Sequence, residues 1–331
     1  MTDTVSNSWI DLLLSDDEPD KVWADVFDRL RDVALEVKRP SALDRETIVP
    51  DRLIAESAWN LWNDFTQHAP SVMDELKQFW VKVSSSGTAV LILDGLSLRE
   101  LPYLVRGAEA RKIEPTRVEV RGCEVPTETN RFAAALGLFG RSKLFNNQAP
   151  ASFVFAGEDV YTDVMDAPFS DCVGQVPSTP RLFLWHKWPD EPLIHLHADK
   201  DEGPDVVARE AKEQLMSDGF WRLVDRVRQG RRLVITADHG YAVSKSFSSE
   251  VKDEDAIKLL RGTFGAKRCV PEPADNPWPR RNLPPMVVRS QKHLAVMGQR
   301  KWTVQAGFPH LCHGGLSLLE AAVPYLELPP L

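Results

Sequence analysis

The sequence predicts an α/β protein: a mainly parallel sheet covered by helices on both faces. Three observations carry that prediction. Strand-like and helix-like segments alternate from about residue 88 onward, as they do in chains of βα units. Two runs, Leu91-Ile92-Leu93-Asp94-Gly95 and Leu233-Val234-Ile235-Thr236-Ala237-Asp238-His239-Gly240, open on continuous apolar stretches, as strands buried on both faces do. Each run delivers an acid, and open α/β sheets place their ligands in the crevice beyond the carboxyl ends of the strands. A chain of 331 residues, 43% of them hydrophobic, is long enough to bury one large core and carry a smaller appendage.

Taken in order, residues 8–83 read as helical and rich in Trp, with apolar residues at three- and four-residue spacing around 22–37, 52–65 and 73–81. Pro40, Pro50 and Pro70 punctuate these segments. Trp9, Trp23, Trp59, Trp62 and Trp80 are expected to pack the helices together and against the rest of the protein. The Ser84-Ser85-Ser86-Gly87 run reads as a junction, which divides the chain into a helical N-terminal region, 1–86, and an α/β domain, 87–331. Strands are expected at 88–93, 116–120, 152–155, 181–185 and 233–236, and helices at 99–110, 129–138, 205–228 and 253–260. The Pro- and Arg-rich stretch 267–285 reads as an irregular excursion.

The formal net charge of −8 gives no global attraction to nucleic acid or an anionic membrane, so phosphate recognition must be local and cation-assisted. Cys123, Cys172, Cys269 and Cys312 lie far apart without C-x-x-C spacing, against a zinc finger, a thioredoxin-type motif or a disulfide framework. A reduced, cytoplasmic setting is expected. The N-terminus is acidic where a signal peptide is basic and then apolar, and no run approaches the roughly 20 apolar residues of a membrane span.

At the carboxyl edge of the expected sheet the chain gathers Asp94 after one strand, Asp238 and His239 after another, and His313 in the Gly-rich turn near the end. A further apolar run around Leu184 and Trp185 leads to Asp190, with His195 beyond it. Carboxylate and imidazole together suit borderline divalent ions such as zinc or manganese. Asp and Gly are also ordinary turn residues; the coincidence of four such clusters at strand ends is what points to a metal centre. Between them, Glu124-Val125-Pro126-Thr127-Glu128-Thr129-Asn130-Arg131 leaves a strand and opens a helix. A threonine there is either an N-cap or, with a divalent ion lowering its pKa, a nucleophile. Thr127 and Thr129 both qualify.

The order Asp…Thr…Asp-x-x-x-x-His…Asp-His-Gly…His-Gly-Gly resembles the alkaline phosphatase superfamily. The ending His313-Gly-Gly-Leu-Ser-Leu-Leu-Glu-Ala-Ala-Val-Pro324 looks specifically like its PglZ branch, whose domains occur in bacterial phage-defence operons, including BREX systems, and in some response regulators. The resemblance runs from about Thr88 to the C-terminus; its final motif is the most specific and its middle segment the least. It implies an alkaline-phosphatase-like three-layer sandwich and two divalent ions, zinc foremost, with manganese or magnesium as alternatives. One ion would take Asp94, the Thr nucleophile, Asp238 and His239; the other would take Asp190, His195 and His313. The family's Pro-x-x-Thr context favours Thr129, with Thr127 kept open. His197 competes with His195, Asp199 lies close by, and His186 stands four residues before Asp190.

The activity implied is hydrolysis of a phosphoester, a phosphodiester, nucleotide or oligonucleotide rather than a small monoester, through a Thr-linked intermediate. Arg131 would contact a non-bridging phosphate oxygen, since guanidinium matches that geometry. Arg261, Lys267, Arg268, Arg280, Arg281 and Arg289 form either a solvated surface or a local guide for a polyanion. A sulfatase reading fails on Cys123, because Pro126 falls one position late and Thr127 stands where Arg is required. A second reading makes the chain a scaffold subunit of a defence complex, docking protein partners through its Trp-rich helices.

Overall fold

The computed structural model describes residues 9–13, 18–37, 39–56, 60–82, 85–195, 203–247, 249–272, 286–290, 292–305 and 307–331. A helical segment at residues 9–13 is followed by α1 (Pro19–Glu36), α2 (Pro40–Glu56), α3 (Asn60–His68) and α4 (Val72–Val81). Helix α1 buries Val22, Trp23, Val26, Phe27, Leu30, Val33 and Ala34, the three- and four-residue spacing of a single apolar stripe. The helical pattern expected over 52–65 falls on the end of α2 and on α3, with 57–59 outside the described residues, and Pro50 lies inside α2 instead of ending it. Pro50 is buried, as are Leu43, Thr47 and Ile54 of the same helix.

Trp23 packs edge-on against Phe65 at 4.9 Å and tilts over Trp62 at 5.2 Å. Trp9, Trp23, Trp62 and Trp80 are all buried, and Trp59 lies outside the described residues. The four described tryptophans of this region are therefore core residues. The cluster around Trp23 continues into Leu98, Leu101, Val120, Leu318, Leu319 and Ala322, while Phe79 and Trp80 of α4 belong to the core of the main sheet.

Among the described residues the main sheet has six strands: β1 (Gly87–Asp94), β2 (Arg117–Gly122), β3 (Val160–Met165), β4 (Arg181–Pro189), β5 (Arg231–Thr236) and a last strand, β9 (Ala322–Leu328), in the order β2-β9-β5-β1-β4-β3. β1, β3, β4 and β5 pair in parallel; β9 runs antiparallel between β2 and β5. The fold is thus the expected α/β class with a mainly parallel sheet. Alternate residues of β4 show both faces covered. Phe183 and Trp185 meet Trp80 and Phe132 on one side, and His186 meets Phe169, which packs edge-on against Phe220, on the other.

Two expectations about this layer change. Residues 152–155 form a turn, not a strand; Phe153 and Phe155 plug the core against Phe183 at 5.2 and 5.5 Å, so their apolarity serves packing without a ladder. The helix expected over 205–228 is two, α7 (Gly203–Leu215) and α8 (Asp218–Arg228), because the Ser217 hydroxyl caps the second by accepting from Phe220 N–H at 3.1 Å.

A smaller layer contains α9 (Glu254–Phe264) and an antiparallel sheet of β6 (Cys269–Pro271), β7 (Val287–Ser290) and β8 (His293–Val296), with β8 in the middle. The expected irregular excursion therefore begins with a paired strand; its remainder, including Arg280 and Arg281, lies outside the described residues. Arg268 is not a surface cation. It is 1% exposed and makes a double hydrogen bond to Glu320, at 2.8 and 2.7 Å. Arg289 pairs with Glu272 at 2.8 Å. No described helix is long and apolar enough to cross a membrane.

Candidate metal centre

Sheet register brings the acids together. β1 lies between β5 and β4, with Ile92 level with Thr236 and Asp94 level with Pro189. Two residues beyond Ile92 and Thr236 are Asp94 and Asp238, and one beyond Pro189 is Asp190, so three carboxylates leave adjacent strands at one edge. The Gly95 N–H crosses this edge to Asp238 Oδ1 at 2.9 Å. Gly95 has φ +72°, and a Cβ there would meet Asp190 Cβ at 3.1 Å, so glycine is what lets the Asp190 segment close over the strand ends.

Two groups of ligand atoms result: Asp94, Asp238 and His239, and Asp190, His239 and His313, each with its atoms within 4.8 Å of one another. Asp94, Asp190, Asp238 and His239 are buried, and His313 is half-buried. The His239 and His313 rings stack at 4.3 Å with an 18° interplanar angle. His239 Nδ1 lies 2.9 Å from Gly240 O, and His313 Nδ1 lies 3.1 Å from Thr127 O. A carbonyl oxygen only accepts, so both Nδ1 atoms carry the proton and each Nε2 is left as the ligand nitrogen. Burial alone would lower the His239 pKa, but the carboxylates of Asp238 and Asp190 outweigh it and hold the imidazole above its ordinary value.

The donor set fits divalent ions. Three carboxylates are taken out of water in one crevice; Arg141 pairs with Asp94, while Asp238 Oδ2 accepts no hydrogen bond there, and leaving such charge uncompensated is costly. Carboxylate oxygen with imidazole nitrogen is the ligand chemistry of zinc and manganese.

Thr129 opens α6 (Thr129–Ala135), and its Oγ1 lies 3.2 Å from Asp94 Oδ1 and 3.2 Å from His239 Nε2. Thr127 sits elsewhere: fully buried, its hydroxyl donates to Gly315 O and accepts from Gly314 N–H, both at 2.9 Å. A cavity of about 330 Å³ opens on the cluster, lined by Glu128, Thr129, Asn130, Arg141, Asp190, Glu191 and His313.

Other expected site residues are not brought here. Arg131 donates to Val125 O at 3.1 Å, lies 3.7 Å from Glu124, and lines a separate cavity with Trp62 and Arg289; roughly half a turn of helix turns it away from Thr129. Arg141 reaches the centre instead, in contact with Asp94 Oδ2 and Glu191 Oε1. No motif marks Arg141, which opens a short 3-10 segment after α6. His186 Nδ1 accepts from Trp188 N–H and Nε2 donates to Ala167 O, each at 3.0 Å, and burial pushes its pKa down to about 4. That histidine fixes the bend at the end of β4. The side chain of His195, and all of His197 and Asp199, lie outside the described residues.

The His313 turn is built by the C-terminal motif. Glu320 Oε1 accepts from Gly315 N–H at 2.9 Å, its Oε2 accepts from the Ser317 hydroxyl at 2.6 Å, and Arg268 holds both oxygens. Gly314 has φ +101°, and a Cβ on Gly315 would fall 2.4 Å from Arg268 Nε. Both glycines are needed for that approach.

No family model and no curated protein matches the chain. Among solved structures, an inactive form of murine ectonucleotide pyrophosphatase/phosphodiesterase 5 in complex with AMP is similar at 12% identity and TM-score 0.43, over 74% of this chain and 88% of that one. Phosphonoacetate hydrolase from Sinorhizobium meliloti 1021 in complex with phosphonoacetate is similar at 15% identity and TM-score 0.43, over 75% of this chain and 91% of that one. Likeness at this level assigns neither family nor substrate.

Proposed function

We propose that the chain is a metal-dependent phosphoester hydrolase of the PglZ type that acts through Thr129, on a phosphodiester or nucleotide-type substrate. The observation that carries this reading is the position of Thr129 Oγ1, 3.2 Å from a carboxylate of one ligand group and 3.2 Å from the histidine common to both. The PglZ assignment and a role in phage defence rest on the motif from His313 to Pro324, and the division at residue 86 rests on the junction in the sequence.

Asp94, Asp238 and His239 would hold one ion, and Asp190 and His313 another, with His195 as a further ligand. Bound ions would lower the pKa of the Thr129 hydroxyl and neutralise the phosphoryl oxygens. Thr129 Oγ1 forms a bond to phosphorus as the bond to the departing alcohol breaks, and the hydroxyl proton, donated along its hydrogen bond to Asp94, ends on that alcohol. Water then attacks the same phosphorus, the Thr129 ester bond breaks, and Thr129 recovers its proton. Arg141 supplies the guanidinium for a non-bridging oxygen in place of Arg131.

Metal analysis of the purified full chain, with hydrolysis of an aryl phosphodiester with and without zinc or manganese, tests this. Stoichiometric metal and metal-dependent turnover that Thr129→Ala abolishes are expected. Folded protein that binds no metal and turns over no ester overturns the proposal.

A further inference from the structure

A second cavity of about 420 Å³ adjoins the one at Thr129 and shares two walls with it, Asn130 and Arg141. We propose that it receives the organic arm of the substrate and that this arm carries a flat heteroaromatic ring of the nucleobase class. The proposal rests on the hydrolase reading and names its substrate class. A phosphoryl group held at Thr129 lies beside Arg141, and the substituent on that group leads from there into the second cavity. Its volume falls within the range of small-molecule sites.

The feature that selects a flat ring is Phe145. Its side chain is 50% exposed while lining the cavity with Arg141, Val164 and Lys187. A single exposed Phe means little, but the backbone on both sides of this one is pinned to β3. Leu144 O accepts from the Thr162 hydroxyl at 2.9 Å, Asn146 N–H donates to Asp163 at 2.9 Å, and Asn147 Oδ1 accepts from Thr162 N–H at 3.1 Å. Phe145 is extended, and Asn146 and Asn147 take φ of 50° and 59°, a conformation Asn tolerates better than most residues. The chain thus fixes a turn whose effect is to hold one aromatic face open beside the reaction centre, and a ring presented that way loses little entropy on stacking.

The polar wall distinguishes a heteroaromatic ring from a plain phenyl. Asn130, Ser142, Asp166 and Lys187 line the same space, and Lys187 Nζ, 3.7 Å from Asp166 and 3.3 Å from Glu191, keeps donors to spare. Ring nitrogens and exocyclic groups can use these donors and acceptors; a phenyl ring cannot.

The test is equilibrium binding to the zinc-loaded full chain, by calorimetry, of a nucleoside 5′-monophosphate against methyl phosphate, in wild type, Phe145→Ala, Phe145→Leu and Phe145→Trp. Stacking on one aromatic ring gives an expected preference for the nucleotide of about 5- to 150-fold. That preference should collapse toward one in Phe145→Ala and in Phe145→Leu, which keeps apolar bulk without a ring, and persist in Phe145→Trp. Equal or undetectable binding of the two ligands to wild type overturns the proposal, as does a preference that survives in Phe145→Leu. Wild type that turns over an aryl diester yet binds both ligands alike sinks the subsite and leaves the hydrolase reading standing. A Phe145-dependent preference in a protein without turnover supports the subsite and sinks the hydrolase.

Discussion

Thr127 clasps Gly314: its hydroxyl accepts from the Gly314 N–H and donates to Gly315 O, both at 2.9 Å. Through that clasp, the segment that ends in Thr129 and the turn that carries His313 are fixed to each other before any ion arrives. Two threonines separated by a single residue, Glu128, therefore have separable tasks.

Thr127→Val removes both bonds and leaves a buried N–H and carbonyl without partners, so a loss of about 1–3 kcal/mol in folding stability is expected, read by denaturant titration. Thr129→Val should cost less stability and abolish turnover. If Thr127→Val is as stable as wild type while Thr129→Val stays active, the assignment of the two threonines is wrong.

Asp238→Asn keeps an oxygen for the Gly95 N–H but removes one of three buried carboxylates. Apo stability should hold or rise, because like charges are relieved, while affinity for zinc falls by at least about tenfold. Calorimetric zinc titration with melting of the apo protein reads both; unchanged affinity would take Asp238 out of the centre.

Arg268→Met breaks the ion pair with Glu320 and leaves its carboxylate buried and uncompensated, at a cost of about 3–5 kcal/mol. Because Glu320 also holds the Gly315 N–H, the variant should weaken zinc binding as well. Gly315→Ala, which would press a Cβ into the Arg268 guanidinium, should do the same with a stability loss of about 1–3 kcal/mol. Loss of stability with wild-type zinc affinity would separate the ion pair from the turn.

Burial pushes the Asp51 carboxyl up to about 7, against the hydrogen bonds from Leu318 N–H and Gln299 that favour its charged form. The unfolded chain loses this proton near pH 4, so between about 4 and 7 the folded state holds a proton that the unfolded state has released. Stability therefore falls as pH rises through that window and levels off above it. Asp51→Asn can donate to Gln299 Oε1, which accepts no hydrogen bond in the wild type, and should flatten the slope by gaining stability at pH 8 and not at pH 4. Thermal melts across that range check it, and an unaltered slope removes Asp51 as the cause.

The strand ends were legible because an apolar run delivering an acid reports both burial and chemistry. Asp94, Asp190 and Asp238 come together through register alone. Strand β9 was hidden inside a motif whose residues also serve the His313 turn. Arg131 and Arg141 could not be sorted because the direction of a side chain at a helix start depends on one turn of phase, and Arg141 arrives over a turn with no periodicity. Arg268 read as a surface cation because composition does not show that Glu320, 52 residues away, is buried opposite it.

β9 lies inside the sheet and leaves the ribosome after the other described strands of that sheet. Until it emerges, a nascent chain holds β2 and β5 with unsatisfied inner edges, the kind of edge that recruits foreign strands. The His313 turn and the strand that completes the sheet thus lie in one continuous stretch, and both wait for the same residues to be made.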